Sequence, residues 1–341
     1  MFNGNPSNMK RSALMFFLLR LLKFTVSGGL IIYLLNRFGF EKIISELGTS
    51  DIGWLVVAGL FFITSHLAGS VQWWALLRWE GTRIAWPRVL SFYFVGLFFN
   101  NFLISNLGGD FFRMMDIRRS TQNTAAAVST VFLDRFLGLF ILSGMAVAAS
   151  IFITAFKAAP VRLNGLTVLL AAGWLMMIVF LFDKRLTSPF ARLMKKWLPE
   201  NFTLKSREIY LIIHHFGRQG RLLIQLLGLS CVIQGLRILA HYAAARSLGV
   251  HISPVVFFVF VPIIAMAAAL PVSFGGVGLR EQMGVILLGS VGIPSVQAFS
   301  IEFLAYLTAI VSSLPGLFVF AVRKRVVLLK DDSFQAKGRK S

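Results

Sequence analysis

The residues best suited to chemistry come in two sets of the same form. Gly108-Gly109-x-x-x-Arg113 recurs as Gly275-Gly276-x-x-x-Arg280, each with a serine shortly before it, Ser105 and Ser273. Asp110 and Glu281 stand beside the arginines, and Asp134 and Glu302 follow 25 and 26 residues past the second glycine of each set. Glycine lets the chain reverse sharply and lets a ligand approach the backbone. A helix starting after such a turn aims its first N–H groups at that point, which suits an anion. An arginine about one turn further on can hold phosphate oxygens bidentately. The chemistry expected of Gly108, Gly109, Asp110, Arg113, Ser273, Gly275, Gly276, Arg280 and Glu281 is therefore phosphate recognition. The same spacing also fits a tightly packed helical hairpin with arginines at the membrane interface.

Asp110, Asp134, Arg135, Glu281 and Glu302 lie in or beside apolar runs. Ionisable groups there are costly and face a cavity or a partner. Asp134-Arg135 and Arg280-Glu281 are neighbours in sequence, so on a helix they point about 100° apart and find partners on other elements. Asp110 and Arg113 form the one obvious local pair, at i,i+3. Ser230, Gln234, Arg237 and His241 are spaced four, three and four apart, which aligns them on one helix face. That face lines either a substrate path or a helix–helix hydrogen-bond seam. Asp134, Arg135, Arg237, His241 and Glu302 are candidates for coupling or gating, and an acid such as Glu281 or Glu302 could carry a proton. Structural ion pairing is the other reading of each.

No catalytic residue, metal site or cofactor is expected. Cys231 is the sole cysteine, and His66, His241 and His251 are scattered. No G-x-x-x-x-G-K-[ST] loop is present, so ATP hydrolysis by this chain is not expected.

The elements that position these residues must lie in lipid. Of 341 residues, 57% are hydrophobic and 14% charged, with mean hydropathy +0.76; a soluble domain carries about 25% charged residues. The net charge of +20, from 34 basic and 14 acidic residues, is read as cytoplasmic loops held on anionic lipid rather than as nucleic-acid binding. Six segments are long and apolar enough to span: about 14–36, 52–77, 132–156, 163–182, 222–246 and 297–322. The first is read as a retained helix, not a signal peptide. Trp73, Trp74, Trp79 and Trp86 are read as an interface belt.

Two further apolar stretches are broken. One, about 88–116, is interrupted at Asn100-Asn101 and at 105–110; the other, about 254–292, at Pro271 to Gly278. The positive-inside rule decides their threading. The segment 183–221, with nine basic residues among Phe190, Trp197, Phe202 and Tyr210, and the tail 323–341 both belong in the cytoplasm. That holds only if 88–116 enters from the cytoplasm and returns there, and 254–292 enters and returns outside. The expected fold is thus an all-α polytopic membrane protein with six transmembrane helices plus two re-entrant helical hairpins. Residues 1–322 form one transmembrane domain of inverted repeats, about 14–156 and 163–322, an arrangement found in transporters.

Taken together, Asn101, Ser105-Asn-Leu-Gly108-Gly109-Asp110-x-x-Arg113, Leu133-Asp134-Arg135-Phe136 and Leu270-Pro271-Val-Ser273-Phe-Gly275-Gly276-Val-Gly278-Leu-Arg280-Glu281 resemble the lysylphosphatidylglycerol synthase transmembrane family, also called flippase-like or UPF0104. The resemblance runs over about 14–322. The Pro-x-Ser-x-Gly-Gly-x-Gly-x-Arg-Glu element is its most specific part, and Asp134 stands where the pattern carries glutamate. The resemblance implies a flippase for a phospholipid or other phosphate-bearing lipid in the bacterial or archaeal inner membrane, with both termini cytoplasmic. Its partners would be anionic or phosphate-bearing membrane lipids and a lipid-synthesising protein. The resemblance is to a stand-alone member without the synthase domain that larger relatives carry, and such relatives are associated with glycolipids, hopanoids and polyprenyl-phosphate carriers. An enzyme of lipid or polyprenyl-glycan assembly, or an accessory membrane subunit, are the alternatives; no His/Asp/Ser constellation marks the former.

Overall fold

The computed structural model describes residues 40–102, 108–156, 164–182, 220–269 and 276–323, together with the single positions 25, 29, 32, 33, 36, 216 and 273. Among the described residues all regular structure is helical. The helices are α1 (Phe40–Gly48), α2 (Ile52–Trp79), α3 (Trp86–Phe102), α4 (Gly108–Thr121), α5 (Thr124–Phe156), α6 (Asn164–Phe182), α7 (Gly220–Ser247), α8 (Pro254–Ala269), α9 (Leu279–Gly289) and α10 (Ser295–Ser313). α2, α5, α7 and the α10 segment, which runs on to Arg323, are 28 to 32 residues long and apolar, well beyond the ~20 needed to cross a bilayer. The chain is a multi-pass membrane protein.

The outward faces of these helices are apolar, and their inward faces mix apolar core residues with buried polar ones. On α2 the exposed residues Ile52, Val56, Leu60, Ile63, Leu67 and Val71 recur at helical spacing, while Ser65, His66, Ser70 and Gln72 are buried. Lipid is as apolar as leucine, so burying leucine gains little there; close packing and interhelical hydrogen bonds hold the bundle instead. α2 packs along α7, and the Asp51 N–H donates to the Ser247 carbonyl at 2.8 Å, fixing the start of one against the end of the other. Asp51 also caps α2 by accepting from the Gly53 N–H at 2.7 Å.

Both broken stretches fold as pairs of helices. α3 and α4 touch backbone to backbone: a Cβ on Gly109 would overlap the Gly96 carbonyl oxygen. Phe99 and Phe112 stack 3.9 Å apart across the same pair. In the second pair, Gly276 and Gly278 have φ of +82° and +81°, which glycine alone adopts freely. A Cβ on Gly276 would lie 2.8 Å from that of Ala268 on α8.

Two expectations need adjustment. The span expected at 132–156 begins at Thr124, because the alanine-rich start of α5 is strongly helix-forming although little of it is needed to cross lipid. Asn123 caps it by accepting from the Ala126 N–H at 3.0 Å. Trp73 does not join an interface belt. It is fully buried and donates its indole N–H to Thr130 Oγ1 at 3.2 Å, because α2 turns that face toward α5. Trp74 and Trp86 likewise donate to protein, to the Ile84 carbonyl and to Ser70. The expected span 14–36, apart from single positions, most of the basic segment 183–221, Gly275 and the tail from 324 lie outside the described residues.

Gly109→Ala is expected to force α3 and α4 apart and lower the thermal unfolding midpoint in detergent; inserting a methyl into such a contact costs about 1–3 kcal/mol. Gly228→Ala meets nothing within 4 Å and serves as a control with an unchanged or slightly higher midpoint.

Candidate functional site

A cavity of about 480 Å³ opens among α2, α3, α5, α7, α8 and α10, with Arg280 of α9 also on its wall. That volume is in the range of small-molecule sites. Among the described residues four arginines line it, Arg113, Arg135, Arg237 and Arg280, but only one acid, Asp134. All four residues of the α7 stripe, Ser230, Gln234, Arg237 and His241, face it.

On one side the charges are matched. Arg113 is buried and bonds Asp134 Oδ2 at 2.9 Å, with Asp110 at 3.5 Å. Arg135 Nε bonds the other Asp110 oxygen at 2.8 Å. The remaining Asp134 oxygen accepts from Gln72 Nε2 at 3.0 Å, and Gln72 in turn accepts from Ser230 at 2.7 Å. The Arg113 guanidinium lies 4.1 Å from the Trp73 ring centre and 4.7 Å from that of Tyr93. As adjacency in sequence required, Asp134 and Arg135 find their partners on another helix, α4.

On the other side the cations are open. The Arg280 guanidinium lies 4.3 Å over the Tyr306 ring, and Arg237 lines the same cavity from α7. Neither guanidinium has an ion pair or hydrogen bond among the described residues. Glu281 turns away from the cavity: its Oε2 accepts from the Gly278 N–H at 2.7 Å and so holds the start of α9. Glu302 is fully buried behind the wall, with Oε1 3.2 Å from His241 Nδ1.

Eight of the residues singled out by type and spacing therefore meet at one cavity: Arg113, Asp134, Arg135, Ser230, Gln234, Arg237, His241 and Arg280. Asp110, Glu281 and Glu302 stand behind it. Gly108, Gly109, Gly276 and Ser273 lie outside its lining. The helix-start N–H groups expected to meet an anion are partly occupied, since the Gly109 N–H donates to Asn100 at 2.9 Å and that of Gly278 to Glu281. Gln72, Tyr93, Asn100 and Tyr306 were not singled out as site residues. Gln72 had a signal, a lone amide in an apolar span; the aromatics had none that separates them from packing residues.

Asp134→Asn is expected to leave Arg113 underpaired in a buried site, where removing one partner costs about 3–5 kcal/mol. Pairing it with Arg113→Met is expected to restore part of the lost thermal midpoint. A double-variant loss equal to the sum of the two single-variant losses would show that the pair does not couple.

A family model described as the transmembrane region of lysylphosphatidylglycerol synthase matches residues 20–322. A UPF0104 membrane protein of Pyrococcus horikoshii is 24% identical over 329 residues, covering 87% of this chain and 96% of that protein. Both glycine-arginine sets and every helix that forms the cavity fall within the matched region, and the chain belongs to the lysylphosphatidylglycerol synthase transmembrane family.

Proposed function

We propose that this chain is a flippase that moves a phospholipid or another phosphate-bearing lipid between leaflets and catalyses no covalent reaction. The observation that carries the reading is the pair of guanidiniums, Arg237 and Arg280, facing a cavity between apolar helices with no carboxylate on either. A charge there is expensive unless it serves a ligand or a pathway. A lipid phosphate supplies the missing counter-charge while its tails stay in the bilayer. Membership of a family named for a lipid-synthase membrane region is consistent with this. The partners are membrane lipids and a lipid-synthesising protein that delivers them.

The architecture belongs to the same proposal: six spans and two re-entrant hairpins in inverted repeats, in a bacterial or archaeal inner membrane with both termini cytoplasmic. Contacts between element ends support it. The charge rule assigns Asp51 and Ser247 to the outer face, and they are hydrogen-bonded. It assigns Arg323 and the outer end of the first hairpin to the cytoplasmic face, and Arg323 bonds both Asp116, at 3.0 Å, and Ser91. Trp79 and Phe216, both assigned inside, meet edge to face at 5.3 Å.

In liposomes carrying headgroup-labelled tracers, the protein is expected to move a phosphate-bearing lipid between leaflets. Arg237→Gln or Arg280→Gln should slow that movement ~10-fold or more, as expected for loss of a charge-assisted hydrogen bond of about 1.5–3 kcal/mol. No movement of phosphatidylglycerol, phosphatidylethanolamine or a polyprenyl phosphate, with or without a proton gradient, would favour an accessory subunit instead. The topology is checked separately with single cysteines in a Cys231→Ser background. A membrane-impermeant maleimide should label cysteines at His251 and Ser290 in intact cells, and those at Gly81 and Gln122 only after permeabilisation. Labelling of Gln122 from outside would rule out the first re-entrant hairpin.

A further inference from the structure

We infer that the cavity selects phosphate-bearing headgroups that carry no ammonium group, and rejects aminoacylated, net-cationic ones; the inference rests on the flippase reading and specifies its substrate. Proteins receive an ammonium with a carboxylate or with an aromatic face. Both kinds of receptor are present on this wall and already have partners: the chain's own arginines hold Asp134 and the faces of Tyr93 and Tyr306, and Phe62 packs against His66 and His241. Asp134, the sole acid lining the cavity among the described residues, has one oxygen on Arg113 and the other on Gln72. The faces of Trp73 and Tyr93 carry the Arg113 guanidinium, and that of Tyr306 carries Arg280. Glu302 sits behind His241, fully buried, and Glu281 is turned onto Gly278. Arg237 and Arg280 remain as open cations.

An anionic phosphate with a hydroxylated or otherwise uncharged remainder meets these two charges and the amides of Asn100, Asn101 and Gln234 on the same wall. A lysyl group on that headgroup brings positive charge among guanidiniums, and like-charge juxtaposition costs several kcal/mol. The family's name comes from a synthase of a lysylated lipid, so the cavity wall points this member to a different cargo.

The test uses the full chain in neutral detergent and compares binding of headgroup-labelled phosphatidylglycerol and lysylphosphatidylglycerol. Phosphatidylglycerol should bind at least ~10-fold more tightly, and Arg237→Gln/Arg280→Gln should abolish the difference. Gln234→Glu, isosteric and adding an acid to the wall, should shift the ratio toward the lysylated lipid. That gain of binding could not come from misfolding. Equal or tighter binding of lysylphosphatidylglycerol by the unmodified chain would overturn the proposal, as would a preference untouched by the double variant. So would tight binding of inorganic phosphate without binding of phosphatidylglycerol, which would assign the arginines to a soluble anion. The same two lipids are then followed in liposomes. Lysylphosphatidylglycerol moving as fast as phosphatidylglycerol overturns the selectivity and leaves the flippase reading standing. Selective binding with no movement of either lipid removes the flippase reading and leaves the selectivity standing.

Discussion

The structure turns on the need to match a buried charge. Arg113 is buried among helices, and four elements close around it. α4 supplies Asp110, α5 supplies Asp134, and α2 and α3 supply the faces of Trp73 and Tyr93. Gln72 and Ser230 extend the same network from α2 to α7. A buried ion pair gains little over apolar packing in net energy, but leaving one member unmatched is costly. The pairings therefore fix how these helices stand relative to one another, and so fix the cavity wall.

Close backbone contact does the remaining positioning. Gly109 against Gly96 brings α4 onto α3, and Gly276 against Ala268 closes the second helix pair. Gly284 makes room for the Glu302 side chain, and Gly316 lets the end of α10 reach the Phe94 carbonyl. Where lipid removes the hydrophobic drive between helices, such small-residue contacts supply van der Waals packing in its place.

The two glycine-arginine sets begin from the same pattern and end in different roles. Arg113 is paired with Asp110 and Asp134, while Arg280 stacks on Tyr306 and has no ion pair among the described residues. The difference lies in the acids. Asp110 and Asp134 reach their arginines across the α4–α5 contact. Glu281 is consumed in capping α9 and Glu302 in meeting His241. One set thus acts as a support, and the other presents charge to the cavity.

By itself the sequence determined that the chain lives in lipid, where its described long helices run apart from the earlier start of α5, where the two apolar stretches break, and which ionisable residues lie beside apolar runs. Each of these follows from local rules: length against bilayer thickness, glycine and asparagine interrupting a helix, and the cost of charge in hydrocarbon. The polar stripe of α7 was legible for the same reason, since helical periodicity aligns Ser230, Gln234, Arg237 and His241 whatever surrounds them. Only the tertiary structure decided which arginines are spent on acids and which stay open, that Trp73 belongs to the core rather than to a membrane interface, and that Gly109 and Gly276 serve packing while the arginines of α7 and α9 face the cavity. Adjacent residues such as Asp134 and Arg135 point about 100° apart, so their partners are set by how α4 and α5 pack, and no spacing along the chain contains that information.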